Sequence, residues 1–125
     1  MATANHPHQK ITVIIPCFND GKYLPKALAS VHNQTHPPQE IIIVNDGSTD
    51  PATLNYLHQI QQKILKVVHQ ENRGLPAARN RGFQESKTEF VYPLDADDTL
   101  APDALRQLFS PLQENPHAGF AYSWV

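Results

Sequence analysis

Two kinds of apolar pattern alternate along this chain. Short β-branched or apolar runs read as strands: Ile11-Val13-Ile14-Ile15, Glu40 to Val44, Leu65 to His69 and Glu89 to Leu94. The first is closed by Pro16, which has no ladder donor, and its continuous apolar character predicts burial on both faces. Between the runs, apolar positions recur at helical spacing. Leu24, Leu28 and Val31 mark one face of a helix over Gly21–Gln34, with Pro25 in its first turn. Asp50-Pro51 supplies an N-cap and a first-position proline for a second helix striped by Leu54, Leu57, Ile60 and Ile64. A third helix runs from Pro76 to Gln84, entered through Gly74. A fourth starts at Pro102, carries Leu105, Leu108, Phe109 and Leu112, and is kinked or ended by Pro111. Ala118 to Trp124 is a predicted fifth strand. Residues 1–9, polar and holding Pro7, read as a disordered lead-in to a domain spanning 10–125.

Strands alternating with helices imply an α/β fold, a mainly parallel sheet flanked by helices and joined by right-handed crossovers. Ligands of such sheets bind beyond the carboxyl ends of the strands. The polar clusters that follow the first, second and fourth strands all fall at that edge.

Composition narrows the function. The chain has 125 residues, the size of one domain, with ten basic and twelve acidic side chains. That balance excludes a dedicated nucleic-acid binder. A single cysteine, Cys17, rules out an intrachain disulfide and predicts a reducing compartment, with Cys17 itself a small buried hydrophobe. The longest apolar runs are about five residues, against roughly 20 for a membrane span. A cytoplasmic location is expected, with the inner face of a membrane as the setting for a longer protein. The chain closes on Tyr122-Ser123-Trp124-Val125, within or just after the fifth strand. A truncated domain is therefore expected, with an open sheet edge able to self-associate.

Three carboxylates crowd into Asp95-Ala96-Asp97-Asp98, directly after a strand. They repel one another, and a divalent cation with hard oxygen ligands, Mn²⁺ or Mg²⁺, resolves the conflict. A solvated acidic turn capping the next helix through Asp98 or Thr99 is the plainer reading. Asn45-Asp46-Gly47-Ser48-Thr49-Asp50 follows the second strand, where Asp46 could accept from a nucleobase N–H or a ribose hydroxyl and Asp50 caps the helix. The run from Asn72 to Gly82 opens a helix whose N-terminus suits an anion, with Arg79 or Arg81 offering a planar fork to phosphate or ribose oxygens. Either arginine is equally well a surface charge. Phe18, after the first strand, offers a face to a base, although residue type alone favours a place in the core. Seven histidines show no ligand spacing, and no GxGxxG, P-loop or nucleophile-elbow motif occurs.

Val13-Ile14-Ile15-Pro16-Cys17-Phe18-Asn19, Ile42 to Asp50, Asn72 to Gly82 and Leu94 to Asp98, in that order, resemble the family 2 glycosyltransferases of GT-A fold. The resemblance covers the chain from about Lys10 onward. It implies a nucleotide-diphospho-sugar donor, a UDP-sugar by preference, and inverting, metal-dependent transfer to an acceptor hydroxyl on a glycan, lipid or polysaccharide. Asp46 would hold base or ribose, and Phe18 would stack where the family commonly places tyrosine. Pro16 would line the nucleoside pocket, Arg79 would contact nucleotide oxygens, and Asn72 and Gly74 would shape the same wall. Asp95 and Asp97 match the D-x-D pair, the first near the ribose and the second on the metal. The family's catalytic base lies well downstream of that pair, beyond Val125, so this segment by itself would bind donor weakly and transfer little. A sugar-nucleotide pyrophosphorylase would want a Gly-rich basic loop where Pro16-Cys17-Phe18-Asn19 is found. A nucleotide-sugar-binding or interaction domain without catalysis is the remaining alternative, opposed by the intact Asp46, Arg79, Asp95 and Asp97.

Overall fold

The computed structural model describes residues 11–61 and 64–108. The lead-in at 1–9, the fifth strand, Phe109, Pro111 and Leu112 lie outside those residues.

Four strands form the sheet: β1 (Ile11–Cys17), β2 (Glu40–Asp46), β3 (Leu65–Gln70) and β4 (Phe90–Pro93). Their order is β3-β2-β1-β4 and every pairing is parallel. Three helices connect them: α1 (Leu24–His32), α2 (Pro51–Gln59) and α3 (Leu75–Glu85). A short helical stretch occupies 104–108. All seven residues of β1 are buried, as befits a central strand covered on both faces.

Alternation along the strands divides the core in two. Val13, Ile15, Ile41, Ile43 and Val67 face α1 and α2, and Leu94, Ala96, Leu100 and Leu105 join them there. Ile14, Ile42, Val44 and Val68 face α3 through Ala78. On that side the approach is close: a Cβ at Gly82 would come within 2.3 Å of Ile14 Cγ2.

Several boundaries differ from the sequence reading, each for a local reason. Pro16 does not end β1. It pairs with Val44 of β2, while the β4 register stops at Ile14 opposite Pro93, so the missing N–H falls where β4 offers no partner. The first helix starts at Leu24 because Gly21 belongs to a turn, its carbonyl accepting from Leu24 N at 3.3 Å. Its predicted last residue, Gln34, lies past the cap at Asn33. The second helix ends at Gln59, so Ile64 is not on it. Leu54 and Ile64 are both exposed, which leaves Leu57 as the buried apolar residue of the expected stripe, with Ile60 packed alongside.

Candidate functional site

Because β2, β1 and β4 are consecutive in the sheet, their carboxyl-end loops lie side by side. At the rim of β1, Cys17 is buried as expected, and burial pushes its thiol upward. Phe18 is not in the core: it is 46% exposed. The correction has a visible cause in Asn19, which adopts a left-handed φ of 57° and turns the chain over. Its backbone N–H donates to Ser48 Oγ at 2.9 Å. Its side-chain Oδ1 accepts from the backbone N–H groups of Thr49 at 2.8 Å and Asp50 at 2.9 Å. The β1 loop is thereby clipped to the β2 loop, with Phe18 left facing outward.

At the rim of β2, Asp46 is buried yet charged. Burial alone would raise its pKa, but the hydrogen bonds around it win and hold it below the ordinary carboxylate value. Gln70 Nε2 donates to Oδ1 at 2.9 Å, Arg73 N to the same oxygen at 2.8 Å, and Gly74 N to Oδ2 at 2.9 Å. Asn72 Nδ2 adds a bond to the Asp46 carbonyl at 3.0 Å. A carboxylate has about four acceptor positions, so three bonds leave one for a ligand. Asn72 and Gly74, expected to shape the pocket wall, are thus tied to the rim through Asp46. Asp50 caps α2, accepting from Thr53 N at 3.1 Å and Thr53 Oγ1 at 2.7 Å.

The two candidate arginines part company. Arg81 Nε donates to Glu85 one turn along the same helix at 3.2 Å, a half-buried pair with no bond to the carboxylates at the rim of β4. Arg79 reaches across to β4's rim, where its Nη2 donates to Asp95 Oδ1 at 3.0 Å, and its Nε is buried with no hydrogen-bond partner among the described residues. One residue type in one helix therefore serves two purposes, separated by helical phase.

At the rim of β4, Leu94 and Ala96 are buried and throw Asp95, Asp97 and Asp98 outward. Oxygens of the three carboxylates lie within 4.8 Å of one another. Asp97 and Asp98 are exposed and make no side-chain hydrogen bond or ion pair among the described residues. The helical stretch begins only at residue 104, preceded by Asp103, so neither Asp98 nor Thr99 has a helix to cap. An all-oxygen set with two uncommitted members suits a hard divalent cation that keeps positions open for other oxygen ligands.

Asn19 and Gln70 were missed as members of this rim. A tolerance of asparagine for left-handed backbone hints at the first; nothing local marks Gln70, whose role depends on β3 lying beside β2.

The glycosyl transferase family 2 model matches residues 12–125. The chain belongs to that family. Among its relatives, the glycosyltransferase GlyA of Streptococcus pneumoniae is 39% identical over 107 residues, covering 84% of this chain and 15% of that protein. The poly(ribitol-phosphate) beta-N-acetylglucosaminyltransferase TarP of Staphylococcus aureus is 36% identical over 111 residues, covering 86% and 34% respectively. Among solved structures, S. aureus TarS 1-349 in complex with UDP-GlcNAc superposes with a TM-score of 0.74 at 32% identity, over 86% of this chain and 32% of that one. The mannosyltransferase PcManGT from Pyrobaculum calidifontis, solved with GDP-Man and Mn²⁺, gives 0.70 at 27% identity over 82% and 32%. This chain thus spans between 15% and 34% of the length of each of these glycosyltransferases. The fold is the GT-A arrangement expected from the sequence, and no described helix is long and apolar enough to cross a membrane.

Proposed function

We propose that this segment is the donor-binding part of an inverting, divalent-cation-dependent glycosyltransferase that takes a UDP-sugar. The observation that carries the reading is the set of three carboxylates at the rim of β4, two of them uncommitted, one strand away from an exposed aromatic. Asp95 and Asp97 would hold Mn²⁺ or Mg²⁺, with Asp98 within reach. A cation there supplies Lewis-acid stabilisation of the charge that a departing diphosphate acquires.

The chain's own residues do the rest. Phe18 presents a ring face to the base, a contact worth about 1–3 kcal/mol for a stacked nucleobase. Asp46 offers its last acceptor position to a base N–H or ribose hydroxyl, while its other bonds hold Asn72 and Gly74 in the wall. Pro16, one residue before the end of β1, forms the floor. Arg79 orients Asp95 and has an Nε with hydrogen-bonding capacity to spare. The TarS complex with UDP-GlcNAc supports uridine over other bases, while the GDP-Man complex of PcManGT makes guanosine the competitor to test. The acceptor hydroxyl, of a glycan, lipid or polysaccharide, and the base that deprotonates it belong to the remainder of a longer enzyme.

Calorimetric titration of the 125-residue chain with UDP, GDP, CDP and TDP, each with and without Mn²⁺, tests this. UDP binding that requires Mn²⁺ and disappears in Asp97→Ala is expected. Metal-independent binding indifferent to that substitution would remove the proposed site, and preference for GDP would overturn the donor assignment.

A further inference from the structure

The acidic turn is suspended between two anchors, and the second has no part in the site as described so far. The first is sheet pairing, where Leu94 N donates to Ile14 O at 2.8 Å. Beyond the carboxylates the chain is taken up by the C-terminal end of α1. Ser30 Oγ accepts from Leu100 N at 3.0 Å. Gln34, only 4% exposed, donates through Nε2 to the Ala101 carbonyl at 2.6 Å and accepts at Oε1 from Leu105 N at 3.0 Å. Its Nε2 also donates to Ser30 O at 3.1 Å, so the buried amide is satisfied at both ends. Thr35 N donates to the Pro102 carbonyl at 2.9 Å. Leu100 is two residues from Asp98, so these bonds determine where the second half of the acidic turn can lie.

We infer that Gln34, with Ser30, is a positioning residue for the cation-binding carboxylates: it fixes the exit of the Asp95–Asp98 turn and so the distances among its oxygens. This rests on the carboxylate cluster being a cation site. Three like charges within 4.8 Å repel, and a turn released at one end would let them spread until a cation joined fewer of them. A primary amide suits the task because the 100–105 segment presents a carbonyl and an N–H that must both be matched in a buried place. Gln34→Leu leaves both unmatched. Ser30→Ala removes two bonds of a partly buried hydroxyl, the one accepted from Leu100 N and the one donated to the Ala27 carbonyl, keeps the Gln34 amide in place and is the milder change.

A merely structural role would lower stability and nothing else, so the test pairs thermal unfolding with Mn²⁺ affinity, measured on the 125-residue chain by water-proton relaxation with MnCl₂. Thr12→Val is the reference: it breaks a buried hydroxyl network with Glu40 and Thr88 near the amino end of the sheet, away from the carboxylates. Gln34→Leu and Ser30→Ala are expected to weaken Mn²⁺ binding about tenfold, the range of outer-sphere substitutions at metal sites. Thr12→Val should lose stability with Mn²⁺ affinity unchanged. Affinity in Gln34→Leu and Ser30→Ala equal to that of Thr12→Val overturns the inference; if Gln34→Leu does not fold, Ser30→Ala decides it. Wild-type protein showing no Mn²⁺ binding sensitive to Asp97→Ala would instead defeat the cation site itself, a separate result.

Discussion

Asp46, the last residue of β2, and Asp97, in the turn after β4, lie at the same edge of one parallel sheet, yet they are opposites. Asp46 is buried, accepts three hydrogen bonds and has a depressed pKa. Asp97 is exposed, sits among two other carboxylates and meets no donor among the described residues. One rim is already satisfied by the protein and locks a neighbouring loop. The other is held in an unfavourable arrangement by the backbone beneath it. Strand-end carboxylates of equal sequence prominence can thus be a fastener or a ligand reserve, and hydrogen-bond accounting separates the two.

The sharpest break in that comparison is Asp46→Asn. The amide keeps the shape but must turn its NH₂ toward either Gly74 N or the Gln70 and Arg73 donors, setting donor against donor. A loss of about 3 kcal/mol is expected from the buried, charge-assisted bonds, measured by urea unfolding. The pH dependence has a definite sign. A folded-state pKa below the ordinary 3.8 means stability that is fully present above that value and lost as pH falls through the lower folded value. Wild type should therefore lose its advantage over Asp46→Asn below about pH 4. Asp50 and Glu85 are also depressed, but both proteins carry them, so the difference isolates Asp46.

A smaller effect comes from the same joint. Gly47 has φ of 73°, and a Cβ there would stand 2.6 Å from the backbone N of Asn72. Gly47→Ala should cost about 2 kcal/mol through strain and overpacking, read as a shifted urea midpoint. If the joint also sets the nucleoside wall, UDP affinity falls with it.

The contrast between the rims explains what was legible in the sequence. Strand runs, the Asp50-Pro51 cap and the four family segments depend on near neighbours, so β1 to β4 and the carboxylate cluster could be read directly. Leu54 and Ile64 misled because an apolar stripe does not say where a helix ends. Phe18 misled because its exposure depends on Asn19 reaching a loop some thirty residues away. Residue type left Arg79 and Arg81 equivalent and only the family resemblance singled out Arg79; helical phase sends that one to Asp95 and the other to Glu85. Gln34 looked like an ordinary helix end, since its partners at 101 and 105 come from the far side of the chain.

Asp97→Asn should have the smallest effect on the fold and so tests the comparison from its other end. The side chain is exposed and touches no donor among the described residues, so nothing in the core registers its loss. Removing one of three charges within 4.8 Å relieves repulsion, which places the urea midpoint of Asp97→Asn at or slightly above that of wild type in metal-free buffer. Adding Mn²⁺ should reverse the order, because a ligand that binds only the folded state raises the stability of the protein that binds it. A midpoint for Asp97→Asn well below wild type without metal would make Asp97 a second fastener, and the distinction between the two rims would fail. The crossing of the two stability curves on metal addition is the signature of carboxylates held together for something other than folding.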